Sequence, residues 1–131
     1  MDALAIDHVN LRIPANGIPQ ALEFYRDVLA FEIERRDEFE AGEKPFIAVR
    51  LTDTSVIHLW PDPNFEPPSG WNYDHISIHL DESGEAIRET VEDAAVPIED
   101  DRRVAGAVGH KRAIYVRDPF GYLVELKAAH T

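Results

Sequence analysis

Residues 7–13 read DHVNLRI, and residues 74–80 read DHISIHL. The two stretches share an aspartate, a histidine and an alternation of apolar with polar side chains, and their histidines lie 67 residues apart. The same offset relates residues 56–59 (VIHL) to residues 123–126 (LVEL). Such alternation is typical of a half-buried β-strand. The chain is therefore predicted to be two copies of one unit, with matched first and last strands.

Each copy is predicted to fold as a β-α-β-β-β module. Module 1 covers about residues 1–60, a segment with four prolines at residues 61–70 is the linker, and module 2 covers about residues 71–131. A length of 131 residues is that of one compact domain. We therefore expect a single α+β domain built from both modules.

The expected elements follow from hydrophobic spacing and from the positions of glycine and proline. The first helix is expected from Pro19 to about Ala30, and the second is expected to be capped by Asp81 or Ser83. Residues 102–110 are predicted to form a loop. The predicted strands are Leu4–Ile13, Phe31–Asp37, Phe46–Leu51, Ser55–Trp60, Tyr73–Leu80, Pro97–Asp100, Ala113–Arg117 and Tyr122–Ala128.

Four residues of metal-ligand type occupy matched positions of these strands. Side chains alternate across a strand, and all four lie on the face opposite the aliphatic residues that a helix would cover. Three imidazoles and one carboxylate suit a single divalent ion, which can be zinc, nickel, cobalt, manganese or Fe(II). The four candidates are His8, His58, His75 and Glu125.

The composition excludes several classes of partner. Twenty-five acidic residues face thirteen basic ones, which gives a net charge of −12, and only three of the bases are lysine. A surface this acidic repels nucleic acid and anionic lipid, and it resembles the surfaces of proteins from halophiles. No apolar run is long enough to span a membrane and no signal peptide is visible. The absence of cysteine suits a reducing cytoplasm, so we expect a cytoplasmic protein.

These motifs resemble the vicinal oxygen chelate superfamily, which includes glyoxalase I, extradiol dioxygenases and bleomycin resistance proteins. The resemblance covers essentially the whole chain and rests on residues 7–11, residues 74–78 and the segment IYVRDPFGYLVE at 114–125. It implies two βαβββ modules that pair into a curled mixed β-sheet cup, with helices on the outer face and a metal inside. His8, His75 and Glu125 match the usual ligands. His58 falls where the fourth ligand varies, and glutamate or glutamine there is typical of isomerases and lyases.

Three functions remain open at this point. The first is a glyoxalase-like lyase or isomerase that binds a small substrate through two adjacent oxygens, with Glu125 and His58 as the catalytic residues. The second is an Fe(II) extradiol-type dioxygenase, which the Tyr115–Glu125 segment resembles and which uses two histidines and one carboxylate. The third is a metal-free drug-binding protein like the bleomycin resistance proteins, against which the complete set of ligands counts.

Further polar and aromatic residues share the inward face of the strands. Three of them are arginines, which pair well with carboxylate or phosphate, so the small-molecule substrate is expected to carry an anionic group. A homodimer is also expected, and the cup can form within one chain or across two. The predicted substrate-binding residues are Asn10, Arg12, Arg50, Trp60, Ser77, His79, Tyr115 and Arg117.

Overall fold

Each half of the chain forms its own four-stranded mixed sheet. The computed structural model describes residues 1–131 and divides them into two compact units, Met1–Glu66 and Pro67–Thr131. The division falls inside the predicted linker at residues 61–70. The α+β class and the βαβββ order of each module are confirmed, with one short additional helix in the first unit.

In the first unit the strand order is β1-β4-β3-β2, in which β1 runs parallel to β4 and the other neighbours are antiparallel. Its elements are β1 (His8–Pro14), α1 (Ile18–Ala21), a π-helical segment (Leu22–Val28), β2 (Glu32–Glu34), α2 (Arg36–Glu40), β3 (Ile47–Thr52) and β4 (Ser55–Asp62).

The second unit repeats this arrangement with the order β5-β8-β7-β6, in which β5 runs parallel to β8. None of the helices in the chain has the length and apolar character that crossing a membrane requires. The elements of the second unit are β5 (Ile76–Ser83), α3 (Gly84–Asp93), β6 (Ile98–Val104), β7 (Lys111–Arg117) and β8 (Leu123–His130).

The strand register reproduces the internal repeat of the sequence. Asn10 is opposite His58 in the first unit, and Ser77 is opposite Glu125 in the second. Both partners of the second pair stand 67 residues after those of the first. The offset seen in the sequence is therefore an offset in three dimensions, because parallel pairing in the same register reproduces the same neighbours in each module.

The cores confirm the predicted alternation. In the first unit the aliphatic face of the sheet is buried together with Leu22 and Tyr25 of the π-helical segment. In the second unit α3 packs against β5, β7 and β8 and buries Ile87 and Val91. Burying these side chains contributes roughly 1.5–3 kcal/mol each. The buried sheet residues are Leu11, Ile13, Ile47, Val49, Ile57, Leu59, Ile78, Ile114, Val116, Val124 and Leu126.

The first helical region differs from the continuous helix predicted from Pro19 to Ala30. It begins at Ile18, with Pro19 in its first turn, and widens into the π-helical segment. The amide of Leu29 donates to the carbonyl of Phe24, five residues earlier, at 3.0 Å. Ala30 then adopts a left-handed backbone with φ of 61°, which ends the helical region. Hydrophobic spacing does not separate a π-helix from an α-helix, so the change was not predicted.

The strand predicted at Phe31–Asp37 is also shorter than expected. It covers only Glu32–Glu34, because Arg35 has a left-handed φ of 64° and α2 begins at the next residue. An ion pair of 3.2 Å between Arg36 and Glu40 supports this short helix. The first predicted strand is shortened as well, since β1 begins at His8.

In the second unit, the structure tests the predicted cap of α3 and the predicted loop at residues 102–110. Ser83, and not Asp81, caps α3, since its hydroxyl accepts a hydrogen bond of 3.2 Å from the amide of Ala86. The predicted loop at residues 102–110 is wrong in its first part, because β6 continues to Val104 and pairs with β7. Strand β6 lies at the edge of the sheet and is rich in charge, and such edge strands lack a clear apolar alternation.

Charges on β6 form a network with α3 and β7. Asp101 accepts hydrogen bonds from Arg112 at 2.8 Å and from Arg88 at 2.7 Å. The bonds from Arg112, followed by those from Arg88, lower the pKa of the Asp101 carboxyl to about 2. A folded-state pKa below the ordinary value of about 3.9 means that the network stabilises the fold above about pH 4 and that this contribution is lost as pH falls toward 2.

We expect Asp101→Asn to lower the free energy of unfolding by about 1–2 kcal/mol at pH 7, after allowance for solvent screening. The difference from the parent should shrink as pH falls below about 4, because the parent then loses the same charge. Urea denaturation across this pH range measures the difference in free energy of unfolding between the variant and the parent.

The neighbouring variant Asp100→Asn is the control, since Asp100 pairs with Arg102 at an exposed position. It should change the free energy of unfolding by less than about 1 kcal/mol. An Asp101→Asn effect no larger than that of the control would contradict the proposed role of the network.

Candidate metal centre

In the first unit, His8 and His58 lie side by side on the polar face of neighbouring strands. They stand on β1 and β4, and their rings stack with centroids 4.5 Å apart and planes inclined by 27°. Phe46 stacks on His58 at 4.2 Å. The sequence predicted that both histidines share this face, and the parallel register of β1 and β4 brings their rings into contact.

Burial disfavours the charged form of His58. Loss of hydration lowers the pKa of this imidazole below its ordinary value, and the neighbouring His8 and Arg35 lower it further. His58 is therefore neutral at neutral pH. A neutral imidazole is the form that binds a metal ion, so the environment of His58 suits a ligand.

The stack of rings continues along the same face of the first sheet. Phe46 stacks on Trp60 with centroids 5.7 Å apart, and the guanidinium carbon of Arg12 lies 4.5 Å from the centroid of the Trp60 ring. A planar cation over an aromatic face is a favourable contact. We call His8, His58, Phe46, Trp60 and Arg12 the ring row, which offers a flat wall of stacked groups.

In the second unit, His75, which immediately precedes β5, is in direct contact with Glu125 of β8. The Nε2 atom of His75 lies 2.9 Å from the Oε2 atom of Glu125. Glu125 is only 4% exposed, and its Oε1 atom is buried without a hydrogen-bond partner. Burying a carboxylate oxygen without a partner is unfavourable. An oxygen in this state is suited to bind a cation or to accept a proton.

Each of the two leading histidines is held by the aspartate before it. The Nδ1 atom of His8 lies 2.8 Å from Asp7, and the Nδ1 atom of His75 lies 2.5 Å from Asp74. In His8, engaging Nδ1 leaves Nε2 as the nitrogen that can bind a metal ion, whereas in His75 the Nε2 atom meets Glu125. The same arrangement occurs in both modules, which supports a shared purpose for the two pairs.

The donor set fits a divalent ion in its chemistry. Each unit contributes two of the four predicted ligands, and the unpartnered Oε1 atom of Glu125 is the feature that an ion would satisfy. No group of three or more histidine, aspartate or glutamate side chains is gathered as a metal site in the structure. The assembly of the four ligands around one ion therefore stays a prediction.

Two of the three arginines predicted to bind an anion form ion pairs with carboxylates of the protein itself. Arg50 is held by Glu34, with its closest contact at 2.7 Å, and it donates to the carbonyl of Thr52 at 3.0 Å. Arg117 occupies the matching position of the second unit, 3.4 Å from Glu99. Because carboxylates already balance both guanidinium groups, they are weaker candidates for binding an anionic substrate.

The other predicted substrate-binding residues lie around the ligand pairs. Tyr115 is buried, stands opposite Glu125 in the register, and meets the His75 ring edge-on at 5.7 Å. Burial, together with the charge of Glu125, raises the pKa of its phenol. Asn10, Ser77 and His79 are exposed on β1 and β5. Their roles stay predictions.

The first unit also contains a cavity of about 330 Å³ beside its histidines. Its lining includes His8 and His58 together with Arg35, which the sequence analysis did not single out. The left-handed backbone of Arg35 places this residue in the lining, and no glycine marks the position in the sequence. The cavity is of a size that suits a small molecule.

One buried residue of the second sheet was also overlooked. Lys127 is 4% exposed and follows Glu125 by two residues in β8. The signal was available in the sequence, because alternation places both residues on the same face.

Comparison with known proteins identifies the family. The family model described as the Glyoxalase/Bleomycin resistance protein/Dioxygenase superfamily matches residues 5–126. Lactoylglutathione lyases from two strains of Neisseria meningitidis are 27% identical to this chain over 126 residues, which is 90% of this chain and 86% of theirs.

Solved structures share the fold of this chain. An integron cassette protein from the mobile metagenome of V. cholerae has a TM-score of 0.75 at 28% identity, with 98% of each chain covered. The lactoylglutathione lyase from Agrobacterium tumefaciens has a TM-score of 0.67 at 20% identity, with 98% of this chain and 96% of that chain covered. The latter identity supports the fold alone.

The contact between Asp74 and His75 leads to a test of metal affinity. Asp74→Ala should weaken Co(II) binding by about 10- to 100-fold, because the ring of His75 loses the partner that orients it. Titration followed by Co(II) absorption measures the affinity. Asp93→Ala, which removes the same charge from an exposed position in α3, is the control, and equal affinities for the two variants would contradict the expectation.

Proposed function

Because the chain belongs to the Glyoxalase/Bleomycin resistance protein/Dioxygenase superfamily, we propose that it is a metal-dependent lyase or isomerase that binds a small substrate through two adjacent oxygens. The observation that carries the proposal is the contact between His75 and the buried carboxylate of Glu125, whose Oε1 atom has no partner. The matching pair of His8 and His58 in the first module supports it.

The proposed ligands are His8, His58, His75 and Glu125, around one ion of zinc, nickel, cobalt, manganese or Fe(II). When bound, such an ion withdraws electron density from two adjacent substrate oxygens and makes the neighbouring carbon more acidic. Neutral His58 suits this set, because its pKa is held low by burial. If His58 is not a ligand, it is the proposed acid–base group.

Glu125 is the proposed base. Its carboxylate is almost fully buried, so little water competes for its oxygens. The carboxylate of Glu125 can take a proton from the carbon beside the two substrate oxygens and return it to the adjacent atom, which is the step that an isomerase of this type requires. The register places Tyr115 beside Glu125, where its buried phenol helps to exclude water from the carboxylate.

The proposed substrates are small oxo-acids, thiohemiacetals or acyl thioesters. The name lactoylglutathione lyase, carried by relatives at 27% identity, favours the sulfur-bearing members of this group. A thiol cosubstrate is therefore part of the first assay, in which methylglyoxal is supplied with and without glutathione.

The ring row favours a second candidate, an Fe(II) dioxygenase that cleaves aromatic rings. Stacked side chains such as His58, Phe46 and Trp60 suit a flat substrate. Two histidines and one carboxylate, His8, His75 and Glu125, are also the ligand set of non-haem iron oxygenases. The identity of the bound metal separates the two candidates.

Metal content tests both enzyme functions. We expect about one ion per chain after anaerobic purification without chelators, measured by elemental analysis. His75→Ala and Glu125→Gln should lose most of it, because each removes one of the proposed donors. Iron supports the dioxygenase, whereas nickel, cobalt, zinc or manganese supports the lyase or isomerase.

His110→Ala is the matched control, since this histidine is exposed in a loop and should leave the metal content unchanged. A folded parent protein that contains no metal and does not take up added metal would contradict both enzyme functions. That result would leave the metal-free drug-binding protein.

We also propose that the protein is a cytoplasmic homodimer. The absence of cysteine supports a reducing compartment. Light scattering at high salt, which screens the net charge of −12, should give the mass of two chains. A single species at the mass of one chain would refute the dimer.

A further inference from the structure

Lys127 lies on the same face of the second sheet as the proposed catalytic carboxylate. It follows Glu125 by two residues in β8, and its register partners are His79 in β5 and Ala113 in β7. Only 4% of the residue is exposed. Lysine is among the residues that proteins bury least often without a charged partner.

The protein satisfies little of the hydrogen-bonding capacity of this ammonium group. Its Nζ atom donates one long hydrogen bond of 3.4 Å to the carbonyl of Gly109, although an ammonium group has three N–H donors. No carboxylate forms an ion pair with it. A buried charge in this state is costly to the fold, so structural stability does not explain why a lysine stands here.

The loop at residues 105–110 covers the ammonium group. A methyl group added at Gly106 would overlap Nζ of Lys127, so the backbone of the loop passes directly over the side-chain end. The loop contains a second glycine, Gly109, whose φ is 86°. The position of the ammonium group therefore depends on a short loop with little side-chain bulk.

The arginines on the inward faces are engaged elsewhere. Arg50 is paired with Glu34, Arg117 with Glu99, and Arg12 lies over Trp60. Unlike Arg50 and Arg117, Lys127 has no carboxylate partner, and unlike Arg12 it is buried. In a protein with a net charge of −12, such a cation is a specific attractor for an anionic group.

We propose that Lys127 binds a negatively charged group of the substrate, a carboxylate or a phosphate, at a fixed distance from the two adjacent oxygens. The proposal rests on the proposed function, since it adds a third contact to the same site. Glu125 and Lys127 are two residues apart in β8, so their Cα atoms are separated by about 6.6 Å along the strand. The substrate class is therefore a small 2-oxo compound with a distal anionic group.

Three probes test the proposal on Co(II)-loaded protein, with Co(II) absorption as the signal. They are 2-oxoglutarate, its phosphonate analogue 2-oxo-4-phosphonobutanoate, and 2-oxopentanoate, which keeps the 2-oxo acid but lacks the distal charge. We expect the parent to bind a charged probe about tenfold more tightly than 2-oxopentanoate, as a charge-assisted hydrogen bond allows. The tighter of the two charged probes identifies carboxylate or phosphate.

Lys127→Met should abolish this preference when the probes are titrated into protein saturated with Co(II). Gly106→Ala should weaken only the charged probes, because the added methyl group displaces the ammonium group while its charge remains. Lys44→Met, at an exposed position of the first unit, is the control for net charge and should retain the preference.

The thermal unfolding midpoint of the metal-free protein provides a second measurement. Lys127→Met should keep or raise this midpoint, because the substitution removes a poorly satisfied buried charge. If Lys127 instead served to stabilise the fold, the substitution would lower the midpoint. A lower midpoint, an unchanged preference in Lys127→Met, or equal binding of all three probes by Co(II)-loaded parent would overturn the proposal. A folded parent that does not bind Co(II) would instead overturn the proposed function, and the role of Lys127 with it.

Discussion

The parallel pairing of the first and last strands in each module determines where the four proposed ligands lie. In this register Asn10 faces His58 and Ser77 faces Glu125. Because side chains alternate along a strand, a shift by one residue would move the whole polar set into the aliphatic core. Burial of residues such as Ile57 and Val124 opposes that shift. The hydrophobic core thus positions the proposed ligands, although it contacts the opposite face of the sheet.

The two sheets differ in what they bury on the polar face. In β8 both faces are shielded from water, so that Glu125 and Lys127 are buried along with Val124 and Leu126. Buried charges reduce stability unless partners compensate them. The structure leaves Oε1 of Glu125 without a partner and gives Lys127 one long hydrogen bond. Sites that tolerate such a cost are often sites of function, because stability alone favours apolar replacements.

Much of the fold and of the candidate site could be predicted from alternation, because period-two patterning is a direct consequence of strand geometry. It identified both modules and placed His8, His58, His75 and Glu125 on polar faces. It did not find α2 or the left-handed Arg35, since neither has a glycine or proline to mark it. It also missed part of β6, where charged residues such as Asp101 replace an apolar face with ion pairs. The local charge balance of Arg50 depends on Glu34, sixteen residues away, and only the fold shows that contact.

The repeat also shows how two copies of one unit have diverged. Phe46, Trp60 and Arg12 of the ring row correspond, at the offset of 67 residues, to Ala113, Lys127 and His79. The register therefore presents flat aromatic groups in one module and a small residue, an ammonium group and an imidazole in the other. The aliphatic faces are alike in the two modules, whereas the polar faces differ in chemistry. The polar face of the first module therefore suits stacking contacts, whereas that of the second suits contacts with charged groups.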